Sequence, residues 1–396
     1  MIDRIKSIGA EVFNSVVKLR RQIHSDPELA YEEVRTSALV AETLRRLPAV
    51  SVRTGVAKTG VVAEIEGDVP GPTIVLRADM DALPIHEENT FDFASRNPGK
   101  MHACGHDAHT SSLLGTAMIL SELRDEIHGR IRLLFQPSEE KLPGGAKPMI
   151  EEGCLDGASA VFGQHVTPRL EAGTIGVRSG PYMASADELY FTVIGEGGHA
   201  AEPHSLRADA VVTASQLVTA LQTIVSRKSP PGIPSILSIG RFIADGATNV
   251  IPATVRLEGT LRTMDESWRK RAHDLIREIA IQTAKAHGAE CEVEVRVGYP
   301  VLVNDHAETS WFRDAASAFV GEGNVVELDP WYASEDFAYY SQEIPGVFYR
   351  IGTGNAEAGI VHRVHTPRFT IDEDALRLAP GLMAYLALRR TATMSE

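Results

Sequence analysis

The chain has 396 residues, 43% of them hydrophobic and 23% charged, and a formal net charge of −14. That acidity leaves no basic surface for nucleic acid or an anionic membrane, and no apolar run reaches the length of about 18 residues that would span a bilayer. Such a length points to two domains. The three cysteines, Cys104, Cys154 and Cys291, are too scattered for a disulfide framework and fit a reducing compartment. With an amphipathic opening in place of an apolar leader, a cytoplasmic protein is expected.

Helices are predicted over 5–24 and 32–46, parted by Asp26-Pro27. Short β-branched runs at 61–65 and 73–76 read as strands, and the second runs into Arg77-Ala-Asp79-Met-Asp81-Ala-Leu-Pro84. Next comes Met101-His-Ala-Cys104-Gly-His106-Asp107-Ala-His109-Thr110, followed by Leu113, Leu114, Ala117, Met118 and Leu120 at helical spacing. A helix should therefore start close to Asp107. The loop feeding its N-terminus would favour a thiolate at Cys104. Thiolate and imidazole two residues apart on a Gly105 turn can reach one metal ion. A core cysteine among solvated histidines is the alternative, and the density of donors favours the metal.

A strand at 131–135 leads into Gln136-Pro-Ser-Glu139-Glu140, and another at 160–163 into Gln164-His165. Strands alternating with helices suggest a largely parallel sheet with helices on both faces, whose ligands gather beyond the carboxyl ends of the strands. Asp79, Asp81, Glu139, Glu140 and His165 all fall there. Paired carboxylates such as Glu139-Glu140 are usually a solvated surface; beside a metal, one can ligate while the other moves a proton. With His362 and His365, these donors suffice for two metals sharing a bridging ligand.

The pattern changes near Met183. Strands at 187–194, 236–243, 254–263 and 291–297 and helices at 208–225 and 266–287 follow the order βαββαβ of a ferredoxin-like α+β module. The expected division is a catalytic domain at 1–183 and 299–396 with an inserted domain at 184–298. A helix at 309–320, a strand at 347–351 and a last helix at 373–390, with Asp372 as N-cap, complete the first domain.

Two other chemistries match parts of the chain less well. Gly195-Glu-Gly197-Gly198-His199-Ala200 fits a loose dinucleotide pattern, but its flanks look antiparallel; a tight turn presenting His199 and His204 is the better reading. No Gly-x-Ser-x-Gly elbow occurs, while a Cys104/His109 nucleophile pair would leave Glu139, Glu140, His165 and His365 without a role.

These segments, with Asn249-Val-Ile-Pro252, Gly259-Thr-Leu-Arg-Thr263, Ser334-Glu-Asp-Phe337 and His365-Thr-Pro367, resemble the aminoacylase/carboxypeptidase family of di-metal hydrolases. The resemblance is to the branch of hippurate hydrolases, auxin-conjugate amidohydrolases and N-acyl-L-amino acid amidohydrolases, and it spans nearly the whole chain. It implies two divalent ions per subunit (Zn²⁺, Mn²⁺, Co²⁺ or Ni²⁺) held by Cys104, His106, Glu140, His165 and His365, with Cys104 as bridge. Glu139 would be the general base and His199 an oxyanion donor, in this family often reaching a neighbouring subunit's site. Asn249 and Arg262 would bind the substrate carboxylate. The inserted domain would be a lid and dimerisation surface, making a homodimer or higher homo-oligomer. The implied reaction is hydrolysis of N-acyl-L-amino acids; a carboxypeptidase or dipeptidase on the same metals is the alternative within enzymes, and a catalytically silent metal-dependent binder the alternative outside them. The chain departs from the branch at Lys141-Leu-Pro143, where a glycine-rich continuation is usual, which puts substrate preference in question.

Overall fold

The computed structural model describes residues 1–394, which fall into two compact units. The first comprises Met1–Gly180, Val303–Asp329 and the chain from Asp336 onward; the second comprises Pro181–Leu302 and Pro330–Glu335. Among the described residues no helix is long and apolar enough to cross a membrane.

An eight-stranded sheet organises the first unit. Its order is Val50–Val56, Gly60–Glu66, His128–Gln136, Val69–Asp79, Ala158–Glu171, Gly346–Gly354, Ile175–Val177, Val325–Glu327. The four central strands, from His128–Gln136 to Gly346–Gly354, are mutually parallel. Antiparallel pairs join them to their flanks. Side chains alternate across each strand. On one face Ile74, Leu76 and Ala78 enter a core with Leu113, Leu114 and Ala117 of helix His106–Glu122 and Leu382, Leu386 and Leu388 of helix Ala379–Thr393. On the other face Arg77 is fully buried and bonds to Asp336, just ahead of helix Phe337–Glu343. Helices thus cover both faces of a mainly parallel sheet.

The second unit has one four-stranded antiparallel sheet, ordered Ser235–Ile243, Thr254–Thr263, Ser185–Ile194, Glu290–Val297. Leu189, Phe191 and Val193 lie on one face, buried against Leu217 and Leu221 of helix Ala210–Thr223 and Ala272, Ile276 and Ala280 of helix Glu266–Ala286. Asp209 and Asp265 cap these helices through their side chains.

Several elements differ from expectation. The strand expected at 160–163 extends over Ala158–Glu171, so His165 lies within it rather than just beyond it. The single C-terminal helix is two: a 3₁₀ turn Glu373–Arg377, capped by Asp372, and then Ala379–Thr393. Pro380, which has no N–H to give, sits in the first turn of the latter, where that loss costs least. The helix expected at 208–225 ends its α-form at Thr223 and widens into a π-turn, Ile224–Lys228.

Candidate metal centre

The strand Val69–Asp79 delivers Asp79 at its end, and Asp81 follows on the loop. Helix His106–Glu122 starts at the Cys-Gly-His segment, with Gly105 at φ +92°. A Cβ on Gly105 would stand 2.3 Å from Val166 Cγ2, so only glycine lets the loop pack there. Glu139 and Glu140 follow strand His128–Gln136, and His165 comes from strand Ala158–Glu171, which pairs in parallel with Val69–Asp79 on its other side. His365 arrives from the loop before the last helix, also left-handed at φ +63°, its N–H donating to Ala103 O at 2.7 Å.

These residues converge in the first unit. Ligand atoms of Cys104, His106 and His165 all lie within 4.8 Å of one another, as do those of Cys104, Glu140 and His365. Cys104 Sγ is common to both sets, 3.3 Å from His165 Nε2 and 3.3 Å from His365 Nε2. Glu139 joins His106 and Glu140 in a third such set. Among the described residues His362 belongs to none of these sets.

The surroundings fix which ring nitrogen each histidine offers. His106 Nδ1–H donates to Asp81 O at 2.8 Å, and His165 Nδ1–H donates to Val166 O at 2.7 Å. Both Nε2 atoms are thereby turned toward the cluster, the arrangement a metal-binding imidazole needs. His106 Nε2 and Glu140 Oε1 are buried without a hydrogen-bond partner. Buried polar atoms are rarely left so, and a cation between them would satisfy both.

The electrostatics agree. Burial alone would disfavour charge on His106, but Asp79, Asp81 and Glu140 outweigh it and push its pKa up to about 10. A proton is thus held where positive charge is wanted. Burial, with Glu140, Glu139 and Asp79 beside it, drives the Cys104 thiol well above its ordinary range. This corrects the expectation of a thiolate created by the loop: burial and then the neighbouring carboxylates keep the thiol protonated, and a cation would be needed to make the thiolate. Burial and Arg350 hold His165 neutral, ready to ligate.

Asp81 organises the paired glutamates. Its Oδ1 accepts the N–H of Glu139 at 2.9 Å and its Oδ2 the N–H of Glu140 at 2.9 Å. Asp79 is tied to Arg77 at 2.7 Å, and Arg77 in turn to Gln136 and Asp336. His109 is not free to activate Cys104. Its Nδ1–H donates to Asp79 Oδ1 at 2.6 Å and its Nε2 accepts from Val166 N–H at 2.9 Å, so both nitrogens are spent. Asp107 accepts from Arg20 and His24 behind the helix start. Arg77, Asp107 and Asp336 all lie in segments that the sequence marks out, but nothing in the sequence gives them partners: Arg77 and Asp336 meet across 259 positions, and Asp107 is met by Arg20 and His24 from the first helix.

His199, Asn249 and Arg262 lie in the second unit. His199 is exposed on a two-residue strand that pairs with Val250, next to Asn249, whose carbonyl accepts from Ala200 N–H. Arg262 sits at the other end of strand Thr254–Thr263 and donates to Ser334 Oγ at 3.3 Å. Roughly 25 Å of strand rise separates Thr254 from Arg262. His199 and Asn249 are therefore brought together, and Arg262 is not with them. The glycines at 195–198 open no helix, since the next α-helix begins at Ala210; that removes the dinucleotide reading.

Known proteins share this architecture. The model of peptidase family M20/M25/M40 matches residues 75–389. An N-acyl-L-amino acid amidohydrolase of Geobacillus stearothermophilus is 46% identical over 302 residues, 76% of this chain and 81% of that protein. Thermostable carboxypeptidase 2 of Saccharolobus solfataricus is 39% identical over 392 residues, 98% of each. The crystal structure of the Bacillus subtilis YXEP protein, described as a dinuclear metal-binding peptidase from the M20 family, superimposes with a TM-score of 0.84 at 36% identity, covering 97% of this chain and 99% of that one. With its strand-end donor cluster and a match over most of its length, the chain belongs to peptidase family M20/M25/M40.

Proposed function

We propose that the protein is a metal-dependent amidohydrolase that cleaves N-acyl-L-amino acids to a carboxylic acid and a free amino acid. The observation that carries this reading is the pair of donor sets sharing Cys104 Sγ, with Glu139 beside them. Cys104, His106, Glu140, His165 and His365 would hold two divalent ions. Thiolate and imidazole donors suit zinc-like ions, with Mn²⁺, Co²⁺ and Ni²⁺ also compatible. When bound, such ions polarise a carbonyl and lower the pKa of water near neutral pH.

Glu139 then removes a proton from the attacking water and delivers it to the leaving amine as the amide C–N bond breaks. Asp81 keeps that carboxylate aimed by gripping its backbone N–H. His199 donates to the carbonyl oxygen as charge develops there. Arg262 and Asn249 recognise the substrate carboxylate, Arg262 through its two-pronged guanidinium. Because His199 and Asn249 lie together on the short Gly198–His199/Val250–Ile251 pair, while Arg262 stands near the far end of strand Thr254–Thr263, a single small substrate is served by His199 and Asn249 of one subunit and Arg262 of another. This supports a homodimer built through the second unit acting as lid. Three free thiols suit a cytoplasmic setting.

The test is Glu139→Gln with its metal content measured. Full metal loading with turnover of N-acetyl-L-amino acids lost is expected; wild-type turnover would remove Glu139 as base. A second reading, a carboxypeptidase on the same ions, is favoured by the full-length similarity to the Saccharolobus enzyme. Comparing kcat/KM on N-acetyl-L-amino acids with that on dipeptides separates the two.

A further inference from the structure

The turn that presents Glu139 and Glu140 is held from a part of the chain remote from every metal donor. Ser138 adopts φ +54°, a left-handed conformation that side chains other than glycine enter at a cost. Its N–H donates to Glu33 Oε1 at 2.8 Å. The same oxygen accepts the N–H of Tyr31 at 2.9 Å, and Glu33 Oε2 accepts the Thr59 hydroxyl at 2.7 Å. Tyr31 is itself left-handed at φ +61°, and its hydroxyl donates to Gly144 O at 2.7 Å, at the far end of the same loop. Three successive amides, those of Ser138, Glu139 and Glu140, are thus bound by two carboxylates, Glu33 and Asp81.

Glu33 stands at the N-cap of helix Val34–Arg45, where a carboxylate would ordinarily bind the first free N–H groups of its own helix. Its side chain makes no such bond. It is fully buried instead and directed at a turn 105 positions away. These partners are all neutral donors, so burial is not offset by an ion pair among them, and burial pushes the carboxyl above its ordinary range. A helix start needs none of this.

We infer that Glu33 is a positioning residue for the hydrolysis: it locks Ser138 in the left-handed turn that aims Glu139 and Glu140, while Tyr31 pins the loop's other end at Gly144. The inference rests on the reading of Glu139 as the general base. A small error of aim at a reacting group costs turnover more than binding, so the signature is a fall in kcat at nearly constant KM.

The experiment compares Glu33→Ala, Glu33→Gln and Glu33→Asp, with Glu139→Gln alongside. Each is loaded with Mn²⁺ and assayed on N-acetyl-L-methionine, with bound metal and Tm measured. Glu33→Ala is expected to lower kcat at least about tenfold with KM within about twofold and the metal retained. Glutamine can offer its amide oxygen to Ser138 and Tyr31 and its NH₂ to Thr59, so Glu33→Gln recovers most of the lost kcat. If the alanine variant does not fold, Glu33→Asp decides: one methylene shorter, it cannot span Ser138 and Thr59 together, and its kcat falls in a folded protein. Wild-type kcat in folded Glu33→Ala or Glu33→Asp, or a loss in Glu33→Gln as deep as in alanine, overturns the inference. An active Glu139→Gln would overturn the general base itself, whereas an inactive one beside a fully active Glu33→Ala overturns only the role of Glu33.

Discussion

His109 reaches His165 through a single peptide group. The N–H of Val166 donates to His109 Nε2 at 2.9 Å, and the carbonyl of the same residue accepts from His165 Nδ1–H at 2.7 Å. The two rings also meet edge to face, their centroids 4.6 Å apart. Asp79 fixes the proton of His109 on Nδ1, so its Nε2 stays an acceptor.

From this follows the outcome of His109→Phe, which keeps a ring but removes both bonds. The ion held with His165 should bind about 10–100-fold more weakly, the usual loss when a group supporting a ligand is removed. Competition with a chromophoric chelator measures it. Unchanged affinity for both ions would show that strand Ala158–Glu171 places His165 unaided.

Asp81→Ala releases the amides of Glu139 and Glu140 together and takes one acceptor from His106 Nδ1. Turnover of N-acetyl-L-amino acids should drop by about 10–100-fold, with weaker metal retention on dialysis. Asp81→Asn, which keeps one acceptor oxygen, should fall between the two.

Metal loading should release protons. Before a cation binds, His106, with a pKa pushed up to about 10, would stay protonated throughout the neutral range and the Cys104 thiol would stay neutral. A cation displaces both protons, so affinity rises with pH across the neutral range. Calorimetric titration with Mn²⁺ or Zn²⁺ in buffers of different ionisation enthalpy counts them. A count near zero at pH 7.5 would contradict the electrostatic picture drawn for this cluster.

In the second unit the buried Asp187 accepts from Arg269 Nη2 at 2.6 Å and from His273 Nε2 at 2.6 Å. Burial opposes its ionisation, but the bonds from His273 and Arg269 prevail and its pKa is lowered. A depressed carboxyl stabilises the fold above the ordinary aspartate range, and that contribution is lost as pH falls through the lowered value. Asp187→Ala leaves the buried Arg269 with Glu266 as its remaining carboxylate and should cost about 3 kcal/mol at pH 7. Denaturant unfolding should show the gap between variant and wild type narrowing as the solution is acidified below pH 4.

Much of the centre could be read from the chain because parallel strands deliver their ligands at one edge. Asp79, Glu139 and Glu140 each end or follow an apolar run, and Cys104 and His106 open an apolar helix; residue type and position are both visible. Their partners were hidden. Nothing near Glu33 marks its carboxylate as turned inward, since a Glu-Glu pair before a helix looks like a solvated cap. The Arg77–Asp336 bond depends on a sheet order that periodicity does not encode. The strand Val50–Val56 escaped notice because only Val56 is buried, and Ile175–Val177 and Val325–Glu327 are too short to show alternation. The Cys104 thiol is held neutral first by its burial, which residue type and spacing do not reveal.

Strand Gly346–Gly354 sits between Ala158–Glu171 and Ile175–Val177, two strands made nearly two hundred residues earlier. During synthesis the main sheet waits with an open slot, and Val161, Phe162 and Gly163 lack their neighbours until the last eighth of the chain emerges. His365 follows a few residues later. A nascent polypeptide of this kind completes its second unit before strand Gly346–Gly354 and His365 are made, so ribosomal stalling ahead of residue 346 should yield a species that binds metal poorly and is readily proteolysed.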